Sequence, residues 1–188
     1  MIKFHWFRRM VNEGDEYARL EELLRVFECE RAGLQRLALL LTGNSEAVKP
    51  CLSRALRDCI SSISVSRDWI LRWTRRVIIR NAINLVMNPG RDSLVETSDD
   101  TVNGLIAFSH DDSLVATADF DSICALPELD RLVYVICILE HYSMYDCALL
   151  LGRSLREVNE ARQRVGDYLG QICELNEFAQ RFATISSA

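Results

Sequence analysis

Between Asp15 and Leu41 the apolar residues Leu20, Leu23, Leu24, Phe27, Leu34, Leu37, Ala38 and Leu41 recur at the spacing of one helix face. Gly33 is the predicted break or kink in this stretch. The segment TGNSEA then supplies a glycine stop, with Asn44 or Ser45 as the next N-cap, and Pro50 suits an early turn. The helix it opens carries Leu52, Ala55, Leu56 and Cys59 to about Ile60. After the polar connector SSISVS, Ser66 is the expected cap of a long helix from Arg67 to about Met87, and NPGRDS ends it. Residues 90–122 have no helical repeat and much Ser, Thr, Asp and Gly. They predict a linker, with short structured pieces around Leu105–Phe108 and Leu114–Ala116. A second helical block starts at Leu126-Pro127 and runs to about Phe182.

No stretch alternates in the manner of a strand, so the expected class is all-α. The expected layout is two helical domains, 1–89 and 124–188, joined by a linker at 90–123. Within the second block, Leu129, Leu132, Val133, Ile136 and Leu139 form one apolar stripe. Ser143 can cap a short helix whose Ala148 and Leu149 face the core, and Gly152 tolerates the positive φ of a tight turn. Ser154 with Glu157 three residues on makes a capping box for a second helix buried through Leu155, Val158, Val165 and Leu169. A short helix, a glycine turn and a longer helix predict a helix-turn-helix. The same spacing also describes a hairpin of helices that only packs. The outer face of the second helix offers Arg156, Asn159, Glu160, Gln163 and Arg164, with Arg153 and Ser154 at the turn. Arg, Asn and Gln are the residue types that read base edges, whereas Glu157 and Glu160 repel phosphate.

The helix SRDWILRWTRRVIIRNAINLVM carries Arg72, Arg76 and Arg80 at i, i+4 and i+8, with Arg75 beside them. Like charges at this spacing weaken an isolated helix. Either a polyanion or acids of neighbouring helices, such as Glu21, Glu22, Glu28 and Glu30, must offset them. The first alternative makes the stripe a phosphate-tracking surface beside an aromatic able to stack on an unpaired base. Trp73 is expected in the core with Ile70 and Val77, while Trp69 fits either the core or the surface.

Charge sharpens the division. The chain has 188 residues and a net charge of −5. Residues 1–91 hold 16 Lys/Arg against 10 Asp/Glu, residues 92–130 hold 10 acids and no base, and residues 131–188 hold 6 against 7. A basic, an acidic and a near-neutral block predict three parts with different roles. The acidic total is unusual for a compact nucleic-acid binder. Seven scattered cysteines without C-x-x-C read as small buried hydrophobes of a reducing cytosol. Cys137 and His141 have metal-ligand spacing on one expected helix, but without a second pair they do not make a zinc motif. The start MIKFHWFRRM lacks a secretory pattern, and Met10 is an alternative start. The apolar run that contains VYVICIL is far too short to cross a bilayer. The expectation is a cytoplasmic protein with no membrane span, cofactor, metal or small-molecule substrate. No hydrolase triad, phosphate loop or metal signature points to an enzyme, and His5, His110 and His141 are far apart.

The stretch ALPELDRLVYVICILEHYSMYDCALLLGRSLREVNEARQRV resembles the promoter-binding C-terminal domain of extracytoplasmic-function sigma factors. Leu126-Pro127, Ser143, Ala148, Leu151-Gly152, Ser154 and Val158 carry the likeness. LQRLALLLTGNSEA and SRDWILRWTRRVIIRNAINLV are similar to that family's −10-element domain, with Trp69 and Arg75 on its Trp and Arg positions. The resemblance spans about residues 20–170. It implies core RNA polymerase and promoter DNA as partners, an anti-sigma factor as a further one, and the acidic linker threaded through the polymerase. The implied DNA contacts are Arg72, Arg75, Arg76, Arg80, Arg153, Ser154, Arg156, Asn159, Gln163 and Arg164. The chain departs from the family at VKPCLSRALRDC, where the acids of the polymerase-facing helix are gone and Lys49 stands, and at Glu157, Asn159, Ala161 and Gly166 of the second helix. These departures frame the alternatives: a sigma-derived regulator or adaptor acting through protein contacts with weak or no DNA binding, or a stand-alone helix-turn-helix repressor.

Overall fold

The computed structural model of the chain describes residues 20–61, 65–88 and 118–186. The segments around Leu105–Phe108 and Leu114–Ala116, and the alternative start at Met10, lie outside the described residues. Every element in these residues is helical, as the pattern predicts for an all-α chain. The helices are α1 (Leu20–Cys29), α2 (Arg31–Thr42), α3 (Ser45–Ser61), α4 (Ile70–Met87), α5 (Ala118–Cys124), α6 (Glu128–Val133), α7 (Met144–Leu151) and α8 (Leu155–Ser186). A 3-10 turn at Arg67–Trp69 leads into α4, and a π-helical segment, Tyr134–Leu139, continues α6. None of the described helices is long and apolar enough to cross a membrane.

Helices α1 to α4 pack around Leu23, Leu34, Leu41, Leu52, Leu56, Ile78 and Ile79, all essentially inaccessible to water. Burying each such side chain contributes roughly 1.5–3 kcal/mol. The break between α1 and α2 falls at Glu30, and Gly33 lies inside α2 rather than at a kink. Asn44 caps α3, accepting from the Glu46 amide at 2.9 Å. Pro50 sits in the second turn of α3, an early turn as expected. Ser66 makes no side-chain cap; its carbonyl instead accepts from the Trp69 amide at 3.0 Å and starts the 3-10 turn. The buried Asn81 amide ties α4 to α3 by donating to Asp58 Oδ2 at 2.8 Å.

The predicted linker ends earlier than residue 123. Residues 118–124 already form α5, whose Ile123 is buried. Helices α5 and α6 pack against α2, and the joint is built around Arg131. Arg131 is 6% exposed, so its charge needs internal partners. Its guanidinium donates to the Leu41 and Thr42 carbonyls at 3.5 and 3.0 Å, and to those of Cys124 and Leu126 at 3.3 and 3.0 Å. Leu41 and Thr42 end α2, where carbonyls lack intrahelical donors and the helix dipole is negative. Gly43 turns the chain away at φ +67°, and a Cβ there would lie 2.5 Å from the guanidinium carbon. The glycine is required twice, for its left-handed backbone and for the space.

After α6 the chain is wound wider. The Glu140 amide donates to Val135 O at 2.9 Å, an i to i−5 bond, and His141 ends the segment at φ +58°. His141 is therefore off the helix that carries Cys137, so the i, i+4 relation expected between them does not exist. Cys137 instead pairs with the Cys147 thiol, and this bond raises the Cys147 pKa and lowers that of Cys137. The buried residues Leu132, Val133, Val135, Ile136, Cys147, Val158, Ala161 and Val165 knit α6, the π-segment, α7 and α8 together.

Candidate nucleic-acid interface

The corner between α7 and α8 is built by local rules. Ser143 Oγ accepts from the Asp146 amide at 3.0 Å and caps α7. Gly152 closes α7 at φ +60°, and the Arg153 amide reaches back to Ala148 O at 3.0 Å. Ser154 Oγ accepts from the Glu157 amide at 3.2 Å while Glu157 Oε2 accepts from the Ser154 amide at 2.8 Å. This is the reciprocal capping box expected from the spacing. Hydrogen bonds from the Ser154 backbone and hydroxyl lower the Glu157 pKa. The packing differs from expectation at two leucines. Ala148 is buried, but Leu149 is 71% exposed and Leu155 44% exposed. The buried face of α8 is Val158, Ala161 and Val165, a stripe shifted away from Leu155.

The outer face of α8 presents Arg156, Asn159 and Gln163 to solvent on successive turns. Arg156 Nε donates to Glu160 Oε1 at 2.8 Å, an exposed i, i+4 pair, and Arg153 lies 3.6 Å from Glu157. Such surface pairs contribute little and yield readily to a competing anion. Arg164 is held differently. It makes two parallel bonds to the buried Asp130, Nε to Oδ2 at 3.0 Å and Nη2 to Oδ1 at 2.6 Å, and this pairing raises its pKa. Asp130 lies in the first turn of α6, where a carboxylate complements the helix dipole.

On α4 the stripe divides in the same way. Arg72, Arg76 and Arg80 are exposed. Arg75 is half-buried and doubly bonded to Glu140, with Nε to Oε2 at 3.0 Å and Nη2 to Oε1 as the second bond. The hydrogen bonds to Glu140 raise the Arg75 pKa. Of the acids expected to neutralise this face, Glu22 pairs with Arg67 at 2.7 Å instead. Trp69 is 55% exposed, with the Arg72 guanidinium 5.2 Å from its ring centroid, while Trp73 is partly buried against the core. No local pattern marks Glu140 or Asp130 as partners, because each lies 65 or 34 residues from its arginine.

Eight of the ten candidate contacts, Arg72, Arg76, Arg80, Arg153, Ser154, Arg156, Asn159 and Gln163, thus stand at the surface without a buried partner. Arg75 and Arg164 are committed to internal carboxylates. Comparison with known proteins finds no matching family model, no matching curated protein and no matching solved structure.

Proposed function

We propose that this chain is a sigma-like transcription initiation factor of the cytoplasm. In this reading two helical domains, joined by an acidic linker, bind core RNA polymerase and promoter DNA, and α7 and α8 act as a helix-turn-helix. The observation that carries it is the exposed face of α8, where Arg156, Asn159 and Gln163 follow a capped helix start and a left-handed glycine turn. The start of such a helix is the part that meets base edges in a major groove. The exposed Arg72, Arg76 and Arg80 would follow phosphates. The test is co-elution of the purified chain with core RNA polymerase at moderate salt, followed by selection of bound sequences from random DNA. Co-elution with an enriched motif supports the reading. A folded protein that neither co-elutes nor enriches a motif overturns it.

One observation favours the alternative, a sigma-derived adaptor acting on a protein partner. Tyr145, Leu149 and Leu155 are 65%, 71% and 44% exposed around the corner between α7 and α8. Exposed apolar groups close together mark protein contacts more often than DNA contacts. This reading expects a protein partner that docks on these helical faces. Capture of a protein by the native chain, abolished by Leu149→Asp without loss of folding, distinguishes it.

A further inference from the structure

A cleft of about 810 Å³ opens between the start of α4 and the turn that follows the π-segment. Its walls combine flat aromatic surface with three arginines, Arg72, Arg75 and Arg76, and three carboxylates, Asp68, Glu140 and Asp146. Trp69 lies largely in solvent with Arg72 over its ring at 5.2 Å, and Trp73 and Tyr142 line the same space. Arg76 is one turn along α4 from Arg72. Among the described residues no carboxylate bonds either guanidinium, whereas the third arginine of the cleft, Arg75, is neutralised by Glu140. At the Tyr142 hydroxyl, burial raises the pKa, the charges of Arg76 and Arg72 pull it down, and those of Glu140 and Asp146 push it up.

The backbone adds a second observation. His141, also in the wall, has φ +58°. Here the left-handed histidine, a residue type that adopts this region more readily than most, ends the π-segment and places its ring position at the cleft wall.

We propose that this cleft binds a nucleoside monophosphate, with the phosphate on Arg72 and Arg76 and the base against the Trp69 and Tyr142 rings. The volume falls within the range of small-molecule sites. Paired guanidiniums suit a phosphate, and an aromatic face next to a cation suits a planar base. The inference does not rest on promoter binding.

The full chain would be titrated with AMP, GMP, CMP and UMP, with inorganic phosphate, and with short single-stranded poly-dT, by tryptophan fluorescence and calorimetry. At least one monophosphate is expected to saturate below about 1 mM, with phosphate alone at least about tenfold weaker. Arg72→Ala/Arg76→Ala should weaken binding about tenfold or more, and Trp69→Ala should reduce both affinity and the fluorescence change. Arg36→Ala, on the exposed face of α2, should change nothing. Urea midpoints of all variants separate a binding defect from a folding defect. Three results each overturn the proposal: no saturation by any monophosphate, binding that survives Arg72→Ala/Arg76→Ala, or binding of poly-dT without binding of monomers. None of these bears on whether α8 reads duplex DNA.

Discussion

Arg131 shows how one residue can hold distant parts of a chain. It stands directly after Asp130 at the start of an apolar run, and nothing near it in sequence marks it as buried. Replacing it by Ala leaves the Leu41 and Thr42 carbonyls of α2 without donors. The expected cost is about 3 kcal/mol in urea unfolding, with most of it retained in Arg131→Lys, which reaches fewer carbonyls. Gly43→Ala should destabilise too, because it adds a left-handed penalty to a collision with the guanidinium. The cysteines give a separate residue-scale check. Burial pushes the thiols of Cys51 and Cys59 up to about 12, and both are inaccessible, while Cys29 is exposed. Thiolate is the reactive form. A thiol-alkylating reagent at neutral pH should therefore modify Cys29 in the native protein and reach Cys51 and Cys59 only on unfolding, as mass mapping would show.

At the scale of elements, the parts legible in sequence are those whose partners lie within four residues. The Ser143 cap, the Gly152 turn and the Ser154–Glu157 box follow from spacing alone. The parts that escape it depend on contacts elsewhere. Leu149 and Leu155 look like core residues by period, but both stand in solvent while Ala148 and Val158 take the buried places. The break at Glu30 rather than Gly33, and the bare Ser66, show packing overriding a glycine or serine signal. The π winding of Tyr134–Leu139 has no marker in its apolar run, yet it delivers Glu140 to Arg75. Two predictions belong here. Ser143→Ala should cost about 1 kcal/mol. Glu157, whose pKa is lowered by the Ser154 amide and hydroxyl, stabilises the start of α8 at neutral pH. That stabilisation is fully present above the unfolded carboxylate pKa and is lost as pH falls through the lower folded value. Hydrogen exchange at the Ser154 amide should accelerate in this acidic window in the native chain, relative to the neutral-pH trend, but not in Glu157→Gln.

For the whole molecule, the arginines divide into those that hold the structure and those left for a partner. A double-mutant cycle on Arg75→Ala and Glu140→Ala should give a coupling of about 1 kcal/mol, modest because the arginine is partly solvated. If DNA is the partner, Arg72→Ala/Arg76→Ala/Arg80→Ala should flatten the dependence of binding on salt, by a slope of about 1 for each phosphate no longer neutralised. Arg156→Ala or Asn159→Ala should instead cost roughly 1–3 kcal/mol at one position of the bound sequence and relax specificity there. Fluorescence anisotropy across a salt series, on matched and mismatched duplexes, separates these outcomes. The charge asymmetry of the three blocks is visible from composition. Which individual arginines remain available is not, because that choice is made by Glu140 and Asp130 from across the fold.

The way α2 ends also sets an order in time. The group that completes its terminus is 89 residues further along the chain than Thr42. At a ribosomal pace of roughly 5–20 residues per second, Arg131 is polymerised about 4–18 s after Thr42. From the completion of α4 at Met87 until Arg131 follows, the nascent α1–α4 segment has carbonyls facing water where the finished protein has a guanidinium. A nascent chain stalled before residue 131 should therefore be more sensitive to protease near Thr42 and Gly43 than one stalled well beyond it.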